Sequence, residues 1–264
     1  MILLSTWDLV VAAILVIMMA LLSGRLQADL RTQVLVAAAR TAVQLLLIGL
    51  VLKWLFETSH PLLVILLSLV MLAVAGREVM ARQGRPLAGW WSFGVGTFSM
   101  FLSSFAVTLF ALGAIIGNEP WYAPQYAIPL LGMLLGNTMT GVALAMDRLG
   151  QSAWQQRRQI EGRLMLGHTA AQAISGLKRD AARAGLIPII NAMAAAGVVS
   201  LPGMMTGQIL AGTPPVEAVK YQIMIMFLIV VGTGLGTLAS VNLMARRLFD
   251  DRQRLRLDRL RSAG

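Results

Sequence analysis

The chain of 264 residues has no cysteine, two histidines and three lysines. Without cysteine there is no disulfide, no thiolate metal site and no cysteine nucleophile. The three lysines, Lys53, Lys178 and Lys220, are followed by Trp54, Arg179 and Tyr221. None therefore completes a G-x-x-x-x-G-K-[ST] phosphate loop, and the chain has no ATP site of that type. It also lacks H-E-x-x-H, G-x-S-x-G and a G-x-G-x-x-G placed after a strand, which leaves no convincing constellation for an intramembrane enzyme. Charge is scarce, at 13% of residues, where a soluble domain carries about a quarter. No Asp or Glu lies deep in an apolar run, so no proton-relay carboxylate or hard-metal cage is visible. No internal repeat is evident, which withholds support from an inverted-repeat secondary transporter.

What fills the chain instead is apolar. Hydrophobic residues make up 57% and the mean hydropathy is +0.73. They come in runs of about 20, the length needed to cross ~30 Å of hydrocarbon. Seven runs can be read, at about 8–23, 34–56, 61–76, 92–117, 122–146, 186–211 and 221–245. The expected fold is an all-α integral membrane protein with about seven transmembrane helices.

The cations test that count. Of 22 Lys and Arg, 19 fall on alternate sides of the runs: at Arg25 and Arg31, at Arg77, Arg82 and Arg85, within 148–183, and within 246–261. The opposite gaps hold only Lys53 and Lys220. Cytoplasmic loops collect Lys and Arg. This places the N-terminus outside and the C-terminus in the cytoplasm of a multi-pass protein of the cell inner (plasma) membrane. The net charge of +10 is then the cytoplasmic bias of a membrane protein against an anionic bilayer, and no nucleic-acid partner is implied. The first run has no basic n-region and no small-residue cleavage site, so it reads as an anchor.

The expected organisation is one membrane (permease-like) domain over 1–264. Its long charged connection, 147–185, carries Trp154, Ile160, Leu164, Leu166, Ala170 and Ile174 at three- and four-residue spacing. That suits helices lying along the membrane face or presented to a partner. The tail 246–264, rich in Arg to residue 261, is expected to continue the last span as a basic, solvated helix.

Polar residues inside the runs are the candidate path. Arg40 and Gln44 share one face of the second run. A cation at the centre of a membrane helix costs at least ~2.5–3.5 kcal/mol, so it faces protein or water, or snorkels. Gly132 and Gly136 form a small-xxx-small pair in the fifth run, with Asn137 placed to bond a neighbouring helix. The sixth run contains Asn191 and then Pro202-Gly203-Met204-Met205-Thr206-Gly207-Gln208. Pro202 removes a donor and Gly203 adds freedom, so a helix break is expected there. Irregular backbone at membrane depth is tolerated against protein or a water-filled cavity. Met204, Met205, Thr206 and Gln208 would border that cavity, unless the kink serves packing alone. The 16 methionines read first as flexible packing, though thioethers also suit soft metals.

Four segments carry a resemblance. They are Ala39-Arg40-Thr41-Ala42-Val43-Gln44-Leu45, the stretch Leu131 to Gly141, the stretch Ser200 to Leu210, and Tyr221-Gln222-Ile223 after Gly212-Thr213-Pro214-Pro215. They resemble the FetB/YbbM family (UPF0014) over nearly the whole chain, and Leu201-Pro202-Gly203-Met204-Met205-Thr206-Gly207-Gln208 is the specific part. The resemblance implies a permease subunit of an ABC transporter, working with a separate ABC ATPase subunit. Bacterial members are described as iron exporters and plant relatives are linked to aluminium tolerance.

On this reading the chain binds no cofactor, and ATP and Mg sit on the partner ATPase. The permease is expected to be a homodimer in the lipid bilayer. Glu161-Gly162-Arg163-Leu164-Met165-Leu166-Gly167 keeps the Glu and Gly spacing of the E-A-A-x-x-x-G loop that docks importer permeases on their ATPases. It has Gly and Arg where that motif has two Ala. Trp154, Glu161 and Gly167 are therefore the expected coupling residues. The rival readings are a stand-alone secondary transporter and a structural membrane assembly protein.

Overall fold

The computed structural model describes residues 5–23, 28–58, 60–117 and 119–261. Arg25, one of the loop cations, lies outside the described residues, as do the last three residues of the expected tail. The protein is an all-helical membrane protein. Among the described residues five helices are long and apolar enough to cross a bilayer, and Trp7–Leu22 is a shorter apolar one. The chain divides into two compact units, Met1–His60 and Pro61–Gly264.

The first unit is a pair of helices in mutual contact, α1 (Thr6–Ser23) and α2 (Ala28–Thr58). Both are largely apolar, with Arg40 and Gln44 on one face of α2. Among the described residues only Ala20 on α1 and Leu55 on α2 are buried, while Leu45, Leu46 and Leu47 stand more than half exposed. Two helices cannot cover each other, and a helix apolar all round needs lipid or further protein against it.

The second unit is built around α6 (Pro124–Gln155). It packs against α3 (Pro61–Ala81), α4 (Trp91–Met100), α9 (Ser175–Ala195) and α11 (Pro215–Arg247). α4 continues without a break through a π-helical turn at Phe101–Phe105, α5 (Ala106–Phe110) and a second π-helical turn at Ala111–Ile116, ending at Gly117 in a left-handed conformation. Ser103 and Thr108 donate to the carbonyls of Ser99 and Ser104 four residues back. Such side-chain back-bonding and π turns relieve strain within one long helix. The core joins Leu72 and Val79 of α3, Met100, Leu135, Met146 and Leu149 to Val241 and Met244 of α11.

Two expectations need correction. The sixth run, 186–211, is not one spanning helix. Its first part belongs to α9, which begins at Ser175 and carries Lys178, Arg179, Asp180 and Arg183 in its first half. Its last part is the short α10 (Gly203–Leu210), and the chain between them is not helical. Nor does the tail prolong the last span. α11 stops at Arg247, and the chain folds back so that Phe249 bridges Leu255 and Leu260 bridges Leu87. The reason is local. Asp250 accepts the backbone N–H groups of Arg252 and Arg254 and pairs with the Arg254 guanidinium at 2.8 Å. Gln253 adopts a left-handed φ of 57°. An Asx turn of this kind competes directly with helix. Leu260 is then buried at 6% exposure, which holds the end of the tail down.

Candidate functional site

The site is built on the interruption between α9 and α10. α9 passes Pro188 as helix and ends at Ala195. Ala196 turns extended and Gly197 takes a φ of +83°. The last carbonyls are collected by a tight loop: Val199 and Ser200 both donate to the Ala195 carbonyl, and Gly197 donates to that of Ser200. Val198 and Val199 project at 89% and 83% exposure. Pro202, with φ −60° and ψ 140°, is the N-cap of α10 and Gly203 its first residue. Proline fits at such a start because it has no N–H to leave unsatisfied. Pro202 and Gly203 thus stand at the far edge of the break. The left-handed turn that a glycine permits occurs earlier, at Gly197. α10 ends at Leu210 and the chain turns at Gly212, φ +100°, where Thr213 donates to the Gln208 carbonyl before Pro214 and Pro215 open α11.

A cavity of about 500 Å³ lies between this interruption and α11. The end of α9 supplies Met193, the turn after it Ala196 and Gly197, α10 supplies Met205, and α11 supplies Gln222 and Met226. Gln222 is only 8% exposed, and its Oε1 is buried without a hydrogen-bond partner. Gln208 Oε1, on α10, is in the same condition. A buried, unpaired amide oxygen costs about 1–3 kcal/mol, so its retention asks for a function. The C-terminus of α9 adds the partial negative charge of a helix end. Carbonyl oxygens and thioethers without a fixed charge suit transient contact with a cation or a polar cargo.

The other expected path residues are dispersed. Met205 and Pro202 line the cavity, whereas Met204 is 37% exposed on another face of α10. Thr206 donates its hydroxyl to the Pro202 carbonyl, 3.2 Å away within its own turn. Asn137 is exposed on α6 and donates to the Met133 carbonyl of the same helix at 2.8 Å, so it does not bond across to another helix. Asn191 is exposed on α9. Arg40 and Gln44 are both exposed on α2 of the first unit, one turn apart. Among the described residues no group of three or more His, Cys, Asp or Glu could hold a metal.

The stretch 147–185 is helical almost throughout. α6 runs on to Gln155, followed by α7 (Arg157–Met165), α8 (Ala170–Ala173) and the first half of α9. Ile160 and Ile174 anchor it to the core. Trp154 is held by the Arg85 guanidinium at 4.2 Å from its ring centroid and by Arg157 at 5.6 Å. Gly84 donates its backbone N–H to Asp147 at 2.8 Å. Glu161 and Gly167 are exposed, and Gly167 has φ +88° at the turn that ends α7. Beside it Met165 and Leu166 stand 83% and 82% exposed.

Residues 6–249 match the model of a family described as "Uncharacterised protein family (UPF0014)". The chain belongs to the UPF0014 family. It is 42% identical to the UPF0014 membrane protein slr1647 of Synechocystis sp., covering 86% of this chain and 87% of that one. It is 33% identical to the probable iron export permease protein FetB of Escherichia coli, over 96% of each chain. It is 32% identical to Protein ALUMINUM SENSITIVE 3 of Arabidopsis thaliana, over 87% of this chain and 81% of the relative. No solved structure matches.

Within this UPF0014 chain the sequence reading missed Gln222, Met193 and Met226. Gln222 sits in a segment, Tyr221-Gln222-Ile223, that carried the family resemblance, and a lone amide in an apolar run is itself a signal. It also missed how the helices close. Gly141 and Gly185 meet between α6 and α9, and Gly236 of α11 lies against Thr138 and Ser103. Gly136 faces open space, so of the expected Gly132–Gly136 pair only Gly132 touches a neighbour, Met71.

Proposed function

We propose that this UPF0014 chain is the membrane permease subunit of an ABC-type transporter that exports iron or a related metal ion. A separate ATPase subunit drives it, and ATP and Mg belong to that partner. The observation that carries the reading is the interrupted α9–α10 segment beside a cavity lined by Gln222, whose Oε1 is buried without a hydrogen-bond partner. Likeness to a protein named as a probable iron export permease supports the cargo class. Broken helices whose ends face a cavity are a common way for transporters to offer backbone and amide dipoles to an ion without a fixed counter-charge.

The permease works as a homodimer in the inner membrane, with the Arg-rich ends of the helices on the cytoplasmic side. The exposed turn at Met165 and Leu166, beside Glu161 and Gly167, is the surface offered to the ATPase. Trp154, under the Arg85 and Arg157 guanidinium groups at the end of α6, belongs to the same stretch. Apolar tips with Arg at their border are favoured at the centres of protein interfaces. The test is co-purification of the chain with the ATPase subunit expressed beside it, followed by hydrolysis measurements. Stable association and ATP hydrolysis stimulated by Fe(II) support the reading. A chain that moves metal alone, driven by an ion gradient, would replace it with a secondary transporter.

A further inference from the structure

The Arg-rich end of α11 does not run into open solvent. Its last turn, the returning tail and the start of α4 enclose a cavity of about 400 Å³. One wall is apolar, from Val95 on α4, Leu243 on α11 and Phe249. Val95 and Leu243 each lie one turn inside a spanning helix, counted from Trp91 and Arg247, so this wall leads toward the hydrocarbon. The other wall is cationic, from Arg246, Arg247 and Arg259. The Arg247 guanidinium stacks over the Trp91 ring at 4.0 Å. Arg259 donates to the carbonyls of Arg247 and Phe249 at 2.8 and 3.1 Å, which ties the tail to the end of α11.

Two observations ask for an anion there. Arg247 Nε is buried and has no hydrogen-bond partner, and a desolvated guanidinium N–H needs an acceptor. The acids that also line the cavity, Asp250 and Asp251, do not balance the three arginines. Asp250 is already paired with Arg254 at 2.8 Å, which leaves Asp251 alone against them. Two further observations say what carries the anion. Trp90 and Trp91 are 82% and 52% exposed at the mouth of α4, as aromatic residues are at the headgroup level of a bilayer. The apolar wall would be wasted on a bare ion.

We infer that this cavity holds the headgroup phosphate of an anionic glycerophospholipid, with its acyl chains along Val95 and Leu243. The guanidinium fork matches phosphate oxygens, and the stacked Trp91 keeps Arg247 in place to receive them. This is a seated lipid, distinct from the diffuse attraction of a basic surface for an anionic bilayer.

Native mass spectrometry of the full chain, stripped of lipid in detergent, tests it. The probes are phosphatidylglycerol, phosphatidylcholine with the same acyl chains, and glycerol 3-phosphate. One phosphatidylglycerol per chain should survive at energies that remove phosphatidylcholine. Arg246→Gln, at an exposed position, and Arg247→Gln should each weaken retention about fivefold, the factor for one Lys or Arg near an anionic surface. Arg158→Gln on α7 removes the same charge elsewhere and should change nothing. The melting temperature of each variant in phosphatidylcholine checks that it is folded. Equal retention of the two lipids, or an equal loss in Arg158→Gln, would overturn the site. Displacement of the lipid by an equal concentration of glycerol 3-phosphate would show a free-anion site instead and overturn the lipid assignment.

Discussion

Gly141 of α6 and Gly185 of α9 face each other so closely that a Cβ on Gly141 would lie 3.0 Å from the Gly185 carbonyl oxygen. The reverse contact, from Gly185 to the Gly141 carbonyl, is tighter still, and Thr233 and Thr237 of α11 close the same point. Lipid tails are as apolar as leucine, so helices associate in a membrane by close approach of small residues rather than by hydrophobic exclusion. This triple contact fixes α9 against the bundle and so sets where its broken end falls.

The contact predicts a sharp contrast between glycines on one helix. Gly141→Leu should destabilise the chain by about 1–3 kcal/mol or more, the range for overpacked cores, because backbone cannot move aside. Gly136→Ala, which meets nothing within 4 Å, should melt within experimental error of the parent. Thermal unfolding of the two variants in the same detergent separates them.

The turn after α7 predicts a separable effect on partner binding. Met165→Arg and Leu166→Arg alter side chains exposed by more than four-fifths, so the membrane fold should be untouched. Association with the ATPase subunit should fall about tenfold or more, as for the loss of an interface anchor. Gly167 is a poorer probe because its φ of +88° makes any side chain there strained. Retained association in both variants would place the docking surface elsewhere.

The tail predicts a pH dependence of defined sign. The Asp250 carboxyl is held below its ordinary 3.8, first by the backbone N–H of Arg254. The Asp258 carboxyl is held low chiefly by its hydrogen bond from the Arg256 side chain. A lowered folded value stabilises the fold-back above the unfolded value, and that contribution is lost as pH falls through the folded one. Hydrogen exchange at the amides of Arg256 and Arg261, which donate to Leu248 and Pro86, should stay slow from pH 7 down to about 4. It should rise, corrected for intrinsic exchange, below that. Asp250→Asn should expose both amides at neutral pH. Unchanged protection in that variant would show that Leu260 burial alone holds the tail.

Hydropathy made the long helices legible because membrane spans are specified by length and apolar content, which are local properties. The end at Gly117 of the long helix that begins as α4 was legible in this way, whereas the run read as 221–245 starts earlier, at Pro215. The break expected in the sixth run at Pro202-Gly203 is present but begins earlier, after Ala195, because apolar content does not locate where a helix stops. What separates α9 from α10 is backbone geometry at Gly197, and only the Pro202-Gly203 half of that signal stood out. The tail was misread because its charge pattern is compatible with a helix. The decisive features are the local Asp250 turn, a signal the charge pattern hid, and the burial of Leu260 against Leu87, which pairs backbone more than 170 positions apart. For the site, Met205 and Pro202 were visible through the break, but Gln222 approaches from another helix and could not be joined to them without the fold. Arg40 drew notice by its charge, by Gln44 one turn away and by the resemblance of the segment around it, and it belongs to the first unit.

Transport by the reconstituted pair tests the central claim most directly. The chain and the ATPase subunit proposed for it are placed in vesicles, and ATP-driven movement of Fe(II) is measured for the parent and for Gln222→Leu. That change keeps bulk, removes the unpaired Oε1 and leaves the turn at Met165 and Leu166 intact. Transport by the parent that falls about tenfold or more in Gln222→Leu, a loss of roughly 1.4 kcal/mol, with ATPase association unchanged, is the predicted result. Full transport by Gln222→Leu, or no ATP-dependent transport of any metal by the parent pair, would contradict the account.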